Sequence, residues 1–175
     1  MFVDESGFLL IPNVCRTWAP QGQTPYLRHR YRHDRLSVCS GLAVSPKRRR
    51  MALYLYCRPR NLTGLDIETF LHHLLRHLPG PVDLLWDRGP IHRRRNVHTF
   101  LARHRRLHVH AFPAYAPELN PAEYVWAQAD RALANGAPDN LADLRHSLGA
   151  AVRRLRRSQD LLWSCIYASE LPWAR

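Results

Sequence analysis

Val82-Asp83-Leu84-Leu85-Trp86-Asp87-Arg88-Gly89-Pro90-Ile91-His92 is the stretch on which the reading of this chain turns. An apolar run from Val82 to Trp86 ends abruptly on a carboxylate, and Gly89-Pro90 then turns the chain. A buried strand that delivers an acid to the rim of a sheet reads this way, and α/β proteins place their chemistry at such rims. Further along, Ala114-Tyr115-Ala116-Pro117-Glu118-Leu119-Asn120-Pro121-Ala122-Glu123 ends on a second carboxylate in the first turn of a predicted helix. A third candidate, Asp4, lies in Phe2-Val3-Asp4-Glu5-Ser6-Gly7-Phe8. Three acids at the edges of three separate elements point to a divalent-metal site, because Mg²⁺ takes a few carboxylates and leaves its other positions to water and phosphate.

The segments around these acids are readable in order. Phe2 to Ile11 is predicted as a strand interrupted at Ser6-Gly7. Residues 12 to 34, rich in Pro, Gly, Gln and Arg, read as a loop or short hairpin that packs Trp18 on the sheet. Arg35 to Val44 and Met51 to Cys57 form a hairpin with a basic tip, Lys47-Arg48-Arg49-Arg50. Ile67, Phe70, Leu71, Leu74, Leu75 and Leu78 recur at helical spacing over Asp66 to Leu78, and Pro79-Gly80-Pro81 stops the helix. Val82 to Asp87 is a strand, Arg93 to Arg105 a helix, Leu107 to Phe112 a strand. Helices follow over Asn120 to Ala134 and Asn140 to Arg157, with a further short segment to Tyr167. Three strands, then helix, strand, helix, strand, helix fits a meander extended by parallel strands through crossovers. The expected class is α/β: a mixed five-stranded sheet flanked by helices, resembling the ribonuclease-H-like fold.

Bulk composition narrows the function. The 175 residues suffice for one domain with a proper core, and 46% apolar content argues against disorder. Twenty-six basic against 14 acidic residues give a net charge of +12, and Lys47 is the only lysine. Arginine forms forked hydrogen bonds to phosphate, so a polyanionic partner is favoured, although a GC-rich genome would also enrich arginine. Cys15, Cys39, Cys57 and Cys165 are scattered without a Cys-x-x-Cys pair, which disfavours a zinc site. No run approaches the roughly 18 apolar residues of a membrane span. A cytoplasmic, nucleoid-associated protein is the expectation.

Four motifs together carry a resemblance: Phe2-Val3-Asp4-Glu5-Ser6-Gly7-Phe8, Thr17-Trp18-Ala19-Pro20-Gln21-Gly22-Gln23-Thr24-Pro25, Trp86 to His92, and Pro113 to Trp126. They resemble the DDE transposases of bacterial insertion sequences in the mariner superfamily, and 35 residues separate the second and third acids, close to the spacing of that group. The resemblance covers roughly Phe2 to Leu155. It implies that Asp4, Asp87 and Glu123 are the catalytic, metal-binding triad for two Mg²⁺ or Mn²⁺ ions, with His92 supporting the site. It also implies hydrolysis at transposon ends, followed by attack of the freed 3′ hydroxyl on target DNA, and a homodimer to hold two ends. Arg93, Arg94 and Arg95, and the hairpin tip with Lys47, Arg48 and Arg49, are candidate DNA contacts; Arg153, Arg154, Arg156 and Arg157 are further phosphate candidates.

Each residue has a plainer role as well. Asp87 could cap the turn before Gly89-Pro90, Asp4 has Glu5 as a neighbouring rival, and Glu118 is a decoy for Glu123. Asn120-Pro121-Ala122-Glu123 is close to a helix-capping box, and on its residues alone capping is the stronger reading of Glu123. Trp126 reads as a core anchor. Two departures from the family stand out: Arg88 occupies a position where Asn is usual, and the chain starts three residues before Asp4. The expectation is a catalytic domain over residues 1–175 with a shortened first strand and no helix-turn-helix domains, completed by an upstream partner chain. The alternative is a non-catalytic DNA-binding remnant or regulatory module.

Overall fold

Apolar residues alternate along the first strand, and that alternation assigns its two faces to two different cores. The computed structural model describes residues 1–28 and 34–173. In it β1 (Phe2–Leu9), β2 (Arg35–Val44) and β3 (Met51–Arg58) form an antiparallel meander. After α1 (Gly64–His77), β4 (Val82–Trp86) joins β1 in parallel, and after α2 (Arg95–Arg103), β5 (Leu107–Ala111) joins β4 in parallel. The sheet order is β3-β2-β1-β4-β5. Helices α3 (Pro121–Leu133), α4 (Leu141–Arg157) and α5 (Gln159–Ala168) complete the chain. This is the mixed five-stranded, ribonuclease-H-like arrangement that the order of elements predicts.

Phe2 and Phe8 point to one face of the sheet and pack with Leu36, Val38, Trp126, Leu148 and Leu162 against α3, α4 and α5. Val3 points to the other face and packs with Cys39, Phe70, Leu74, Trp86 and Phe100 under α1 and α2. Each such fully buried side chain contributes roughly 1.5–3 kcal/mol. The parity matters for the site. Asp4 shares the α3 face with Phe2, whereas Glu5, paired with Cys39 in β2, shares the α1 face with Val3.

Local chemistry fixes the helix starts. Asn140 caps α4 by accepting from the Ala142 and Asp143 amides, and Asn120 caps α3 by accepting from the Ala122 amide, with Pro121 at the first helical position. At α1, the Asp66 carboxylate accepts from the Thr63 amide and hydroxyl and from Arg60. Burial pushes the Asp66 carboxyl up, but these bonds outweigh it and hold it well below the usual carboxylate range.

Two expectations are corrected. Ser6-Gly7 does not interrupt β1: Ser6 pairs with Val38 and Gly7 with Ser37, so β1 runs unbroken through eight residues. The longer β2 supplies a partner at every position, which overrides the weak strand preference of Ser and Gly. Trp18 does not pack on the sheet; it is 99% exposed, because the two helical layers already cover both faces. The described part of residues 12–34 is an irregular loop with a turn at Gln21-Gly22, and residues 29–33 lie outside the described residues. Among the described residues, no helix is long and apolar enough to cross a membrane.

Candidate active site

Parallel register places the acids level with one another. Phe2 of β1 pairs with Leu85 of β4, so two residues further along each strand Asp4 lies opposite Asp87. Asp4 is 9% exposed, on the α3 face, and the buried Trp126 indole N–H donates to its Oδ2 at 2.7 Å. Asp87 follows the last residue of β4, and its Oδ1 accepts from the Gly89 amide at 2.8 Å. The turn-capping role anticipated for Asp87 is therefore real, and it fixes one carboxylate oxygen without using the other. A Cβ at Gly89 would come within 2.9 Å of that same Oδ1, so a side chain there would displace the Asp87 carboxylate from its present position.

Glu123 enters from the first turn of α3. The cap is made by the Asn120 side chain alone, and Glu123 makes no side-chain hydrogen bond among the described residues. Asp4, Asp87 and Glu123 line one cleft of about 380 Å³, together with Arg88, Asn120 and the segment from Phe112 to Pro117. Glu118 is not among its lining residues.

Electrostatics in this cleft are unfavourable to three free carboxylates. The Asp4 pKa is raised to about 8, first by burial, then by the charge of Glu123 and in smaller measure by Glu5 and Asp87, with the Trp126 hydrogen bond opposing the rise. Glu123 is raised by burial first and by Asp87 second. Mutual repulsion of this kind is what a bound cation relieves. Asp4 lies too deep for a strand-edge residue that merely meets solvent.

His92 is drawn into the same neighbourhood. It is 4% exposed and stacks on Trp86 with centroids 4.1 Å apart, and its Nε2 lies 3.2 Å from Asp87 Oδ1 and 3.1 Å from Glu5 Oε2. Glu5, Asp87 and His92 are a group of described residues whose ligand atoms all lie within 4.8 Å of one another. Glu5 thus lies beside His92 and Asp87, with Cys39 donating its S–H to Oε1 at 3.4 Å.

The basic candidates divide differently. Arg94 and Arg95 line a groove of about 730 Å³ between α1 and α2, with His72, Arg103 and His104, rather than the acidic cleft. Arg93 is exposed beside them. Lys47, Arg48 and Arg49 form the exposed tip of the β2–β3 hairpin. β2 runs antiparallel to β1 and pairs Ser40 with Asp4, so the tip projects from the end of the sheet opposite the acids. With five or more residues intervening, the separation along the strand is roughly 17 Å or more. Arg48 lies over the Trp173 ring at 4.6 Å, and Arg156 of α4 donates to the Leu53 carbonyl, so neither is a free surface cation.

Sequence reasoning passed over two contributors. Trp126 is the core anchor it was read as, but it also holds Asp4; its place one turn after Glu123 is the signal. Tyr115 is fully exposed on the cleft's rim with φ of +58°, a left-handed conformation uncommon for a bulky residue.

A family model described as DDE superfamily endonuclease matches residues 1–145. Among solved structures, the Mos1 mariner paired end complex with Mn superposes with a TM-score of 0.69 at 20% identity, covering 94% of this chain and 50% of that one. The catalytic domain of Mos1 mariner transposase gives 0.56 at 15% identity, covering 97% and 82%. A simian T-cell lymphotropic virus intasome in complex with PP2A regulatory subunit B56 gamma gives 0.53 at 12%, covering 78% and 54%. At these identities the likeness is one of fold. The chain spans about half the length of the transposase chains in the Mos1 complexes. No curated protein sequence matches it significantly.

Proposed function

The chain belongs to the DDE superfamily endonucleases, and from that premise we propose that it is the catalytic domain of a transposase that cuts and joins DNA strands with divalent metal ions held by Asp4, Asp87 and Glu123. The observation that carries this reading is the cleft itself. Acids from β1, from the end of β4 and from the start of α3 line it together, and burial with the neighbouring negative charges raises the proton affinity of Asp4 and Glu123. The donor set suits the ions: oxygen ligands from carboxylates, with an open cleft beside them for water and phosphate. Two such ions, Mg²⁺ or Mn²⁺, would supply activation of the attacking oxygen and stabilisation of the leaving one.

The chain's own residues do the rest. Trp126 and Gly89 fix the orientations of Asp4 and Asp87 through their N–H groups. Arg88 lines the cleft as a cation and is placed to meet a scissile phosphate. Tyr115 offers an aromatic face at the rim on which a base can stack. The basic groove with Arg94, Arg95 and Arg103 gives a separate track for the DNA backbone.

Two of the similar Mos1 structures are a paired-end complex with the left transposon end and a strand transfer complex; by extension, the substrates proposed here are transposon-end and target DNA. Pairing two ends calls for a homodimer, and choosing the ends calls for helix-turn-helix domains of a partner chain. A place on the nucleoid follows from the same reading.

The test is joining of a 3′-hydroxyl-bearing end oligonucleotide to supercoiled plasmid, with Mn²⁺ and the helix-turn-helix partner present. Joined product is expected from the parent and not from Asp87→Asn or Glu123→Gln. DNA binding that is salt-sensitive but indifferent to metal, with no product from any of the proteins, would favour a non-catalytic module instead.

A further inference from the structure

On the α1 face, Asp87 belongs to a second set of ligand atoms. Glu5 Oε2 and Asp87 Oδ1 stand 3.1 and 3.2 Å from His92 Nε2. His92 is 4% exposed, yet among the described residues neither of its ring nitrogens has a hydrogen-bond partner. Nε2 is therefore close to two carboxylate oxygens without the alignment that an N–H···O bond requires. Buried polar atoms left in that state are rare and call for an explanation.

The spacing supplies one. Metal–ligand bonds near 2.1 Å put adjacent ligand atoms about 3.0–3.4 Å apart, whether the ion is octahedral or tetrahedral. Both separations from His92 Nε2 fall inside that range. The supporting contacts also have the right form. Cys39 engages Glu5 Oε1 and leaves Oε2 to face His92, the Gly89 amide holds Asp87 Oδ1, and the Trp86 ring fixes the imidazole plane. Outer contacts of this kind orient ligands at metal centres.

We infer that Glu5, Asp87 and His92 form a cation site of their own, built for a first-row transition ion and sharing Asp87 with the cleft of Asp4 and Glu123. Sharing Asp87 makes this site rest on the function proposed above, but Glu5 and His92 are additional to it. An imidazole ligand disfavours Mg²⁺, which prefers an all-oxygen shell, and suits Zn²⁺ and other first-row transition ions, with Mn²⁺ the weakest binder of that series. The two sites meet at the sheet rim: Asp4 lines the cleft with the shared Asp87 from the α3 face, and Glu5 lies on the α1 face. The competing arrangement is an imidazolium ion-paired between two carboxylates, which needs no metal.

Mn²⁺ is the probe, added to the full chain and followed by electron spin-echo envelope modulation. The protein has eleven histidines, so the parent is prepared with natural and with ¹⁵N-labelled histidine, beside His92→Gln, Glu5→Gln and Glu123→Gln. The expected result is a ligated-imidazole nitrogen signal in the parent that changes with the label, vanishes in His92→Gln and survives in Glu123→Gln. Glu5→Gln should weaken Mn²⁺ binding at this site at least tenfold. If His92→Gln fails to fold, the labelled parent and Glu5→Gln still decide. Bound Mn²⁺ without an imidazole signal overturns this inference and leaves the proposed function standing. A signal that persists in His92→Gln also overturns it, and no Mn²⁺ binding at all overturns both.

Discussion

Replacing Asp4 with asparagine should stabilise the metal-free protein, and the gain should grow with pH. Burial, then Glu123, raise the Asp4 pKa from 3.8 to about 8. Between those values the folded chain holds a proton that the unfolded chain has lost, so stability falls as pH rises. The slope approaches about 1.4 kcal/mol per pH unit for a full proton. Below pH 3.8 Asp4 is neutral in both states and resembles Asn; above pH 8 the penalty is complete. At pH 7.5 it should amount to about 2–5 kcal/mol, and at about 2–4 °C per kcal/mol for a chain this long Asp4→Asn should melt roughly 5–15 °C higher than the parent. The assay is thermal unfolding in chelator at half-unit steps from pH 4.5 to 8.5. Glu123 titrates in both proteins, so the difference between them reports chiefly Asp4. Saturating Mn²⁺ should reverse the order, because the cation lets the parent's carboxylates ionise in the fold. A difference that stays constant with pH would refute the claim that Asp4 is buried among like charges.

Other consequences are open to direct measurement. Asp66→Ala removes the α1 capping interactions and the Arg60 pair, and should cost about 2–3 kcal/mol by urea unfolding at pH 7. Since the folded Asp66 carboxyl is held well below its ordinary value, the parent's advantage should be fully present above pH 4 and shrink progressively as the pH falls further; an advantage at pH 2.5 as large as that at pH 5 would contradict this. Tyr115→Gly relieves a left-handed φ and should leave stability unchanged or about 1 kcal/mol higher, while weakening binding to single-stranded ends by about 1–3 kcal/mol; unaltered binding by fluorescence anisotropy would remove Tyr115 from the interface. Arg94→Ala with Arg95→Ala should weaken DNA binding evenly across sequences and flatten the salt dependence by about 1.8 in log–log slope, about 0.9 per lost phosphate contact. A flattened slope with Mn²⁺ affinity intact would match their place in the α1–α2 groove, and an unchanged slope would exclude them as phosphate contacts.

The element order and the placing of Asp87 were legible because they depend on local pattern: an apolar run, a carboxylate, then Gly-Pro. Glu123 was harder. Asn-Pro-Ala-Glu signals a helix start equally well with or without a capping glutamate, and only the fold shows Asn120 capping alone. Which of Asp4 and Glu5 faces which helix layer is a question of parity, and parity along a strand is set by its partners. The sequence therefore offers two adjacent acids without saying that one meets Trp126 and the other His92. The Arg93–Arg95 run adjoins the site in sequence, yet Arg94 and Arg95 are carried by α2 into a different groove. Trp18 reads as packing on the sheet from its loop, and nothing local in the sequence reveals that it stays 99% exposed.

The central claim is that the acids at the rim of the sheet gather a divalent cation, and thermal unfolding of the full chain with and without Mn²⁺, beside Asp87→Ala, tests it most directly. A cation that binds only the folded state raises the melting temperature by linkage. The account predicts a cooperative melt that Mn²⁺ raises in the parent and leaves unmoved in Asp87→Ala. A cooperative parent melt indifferent to Mn²⁺, or an equal rise in both proteins, would contradict it.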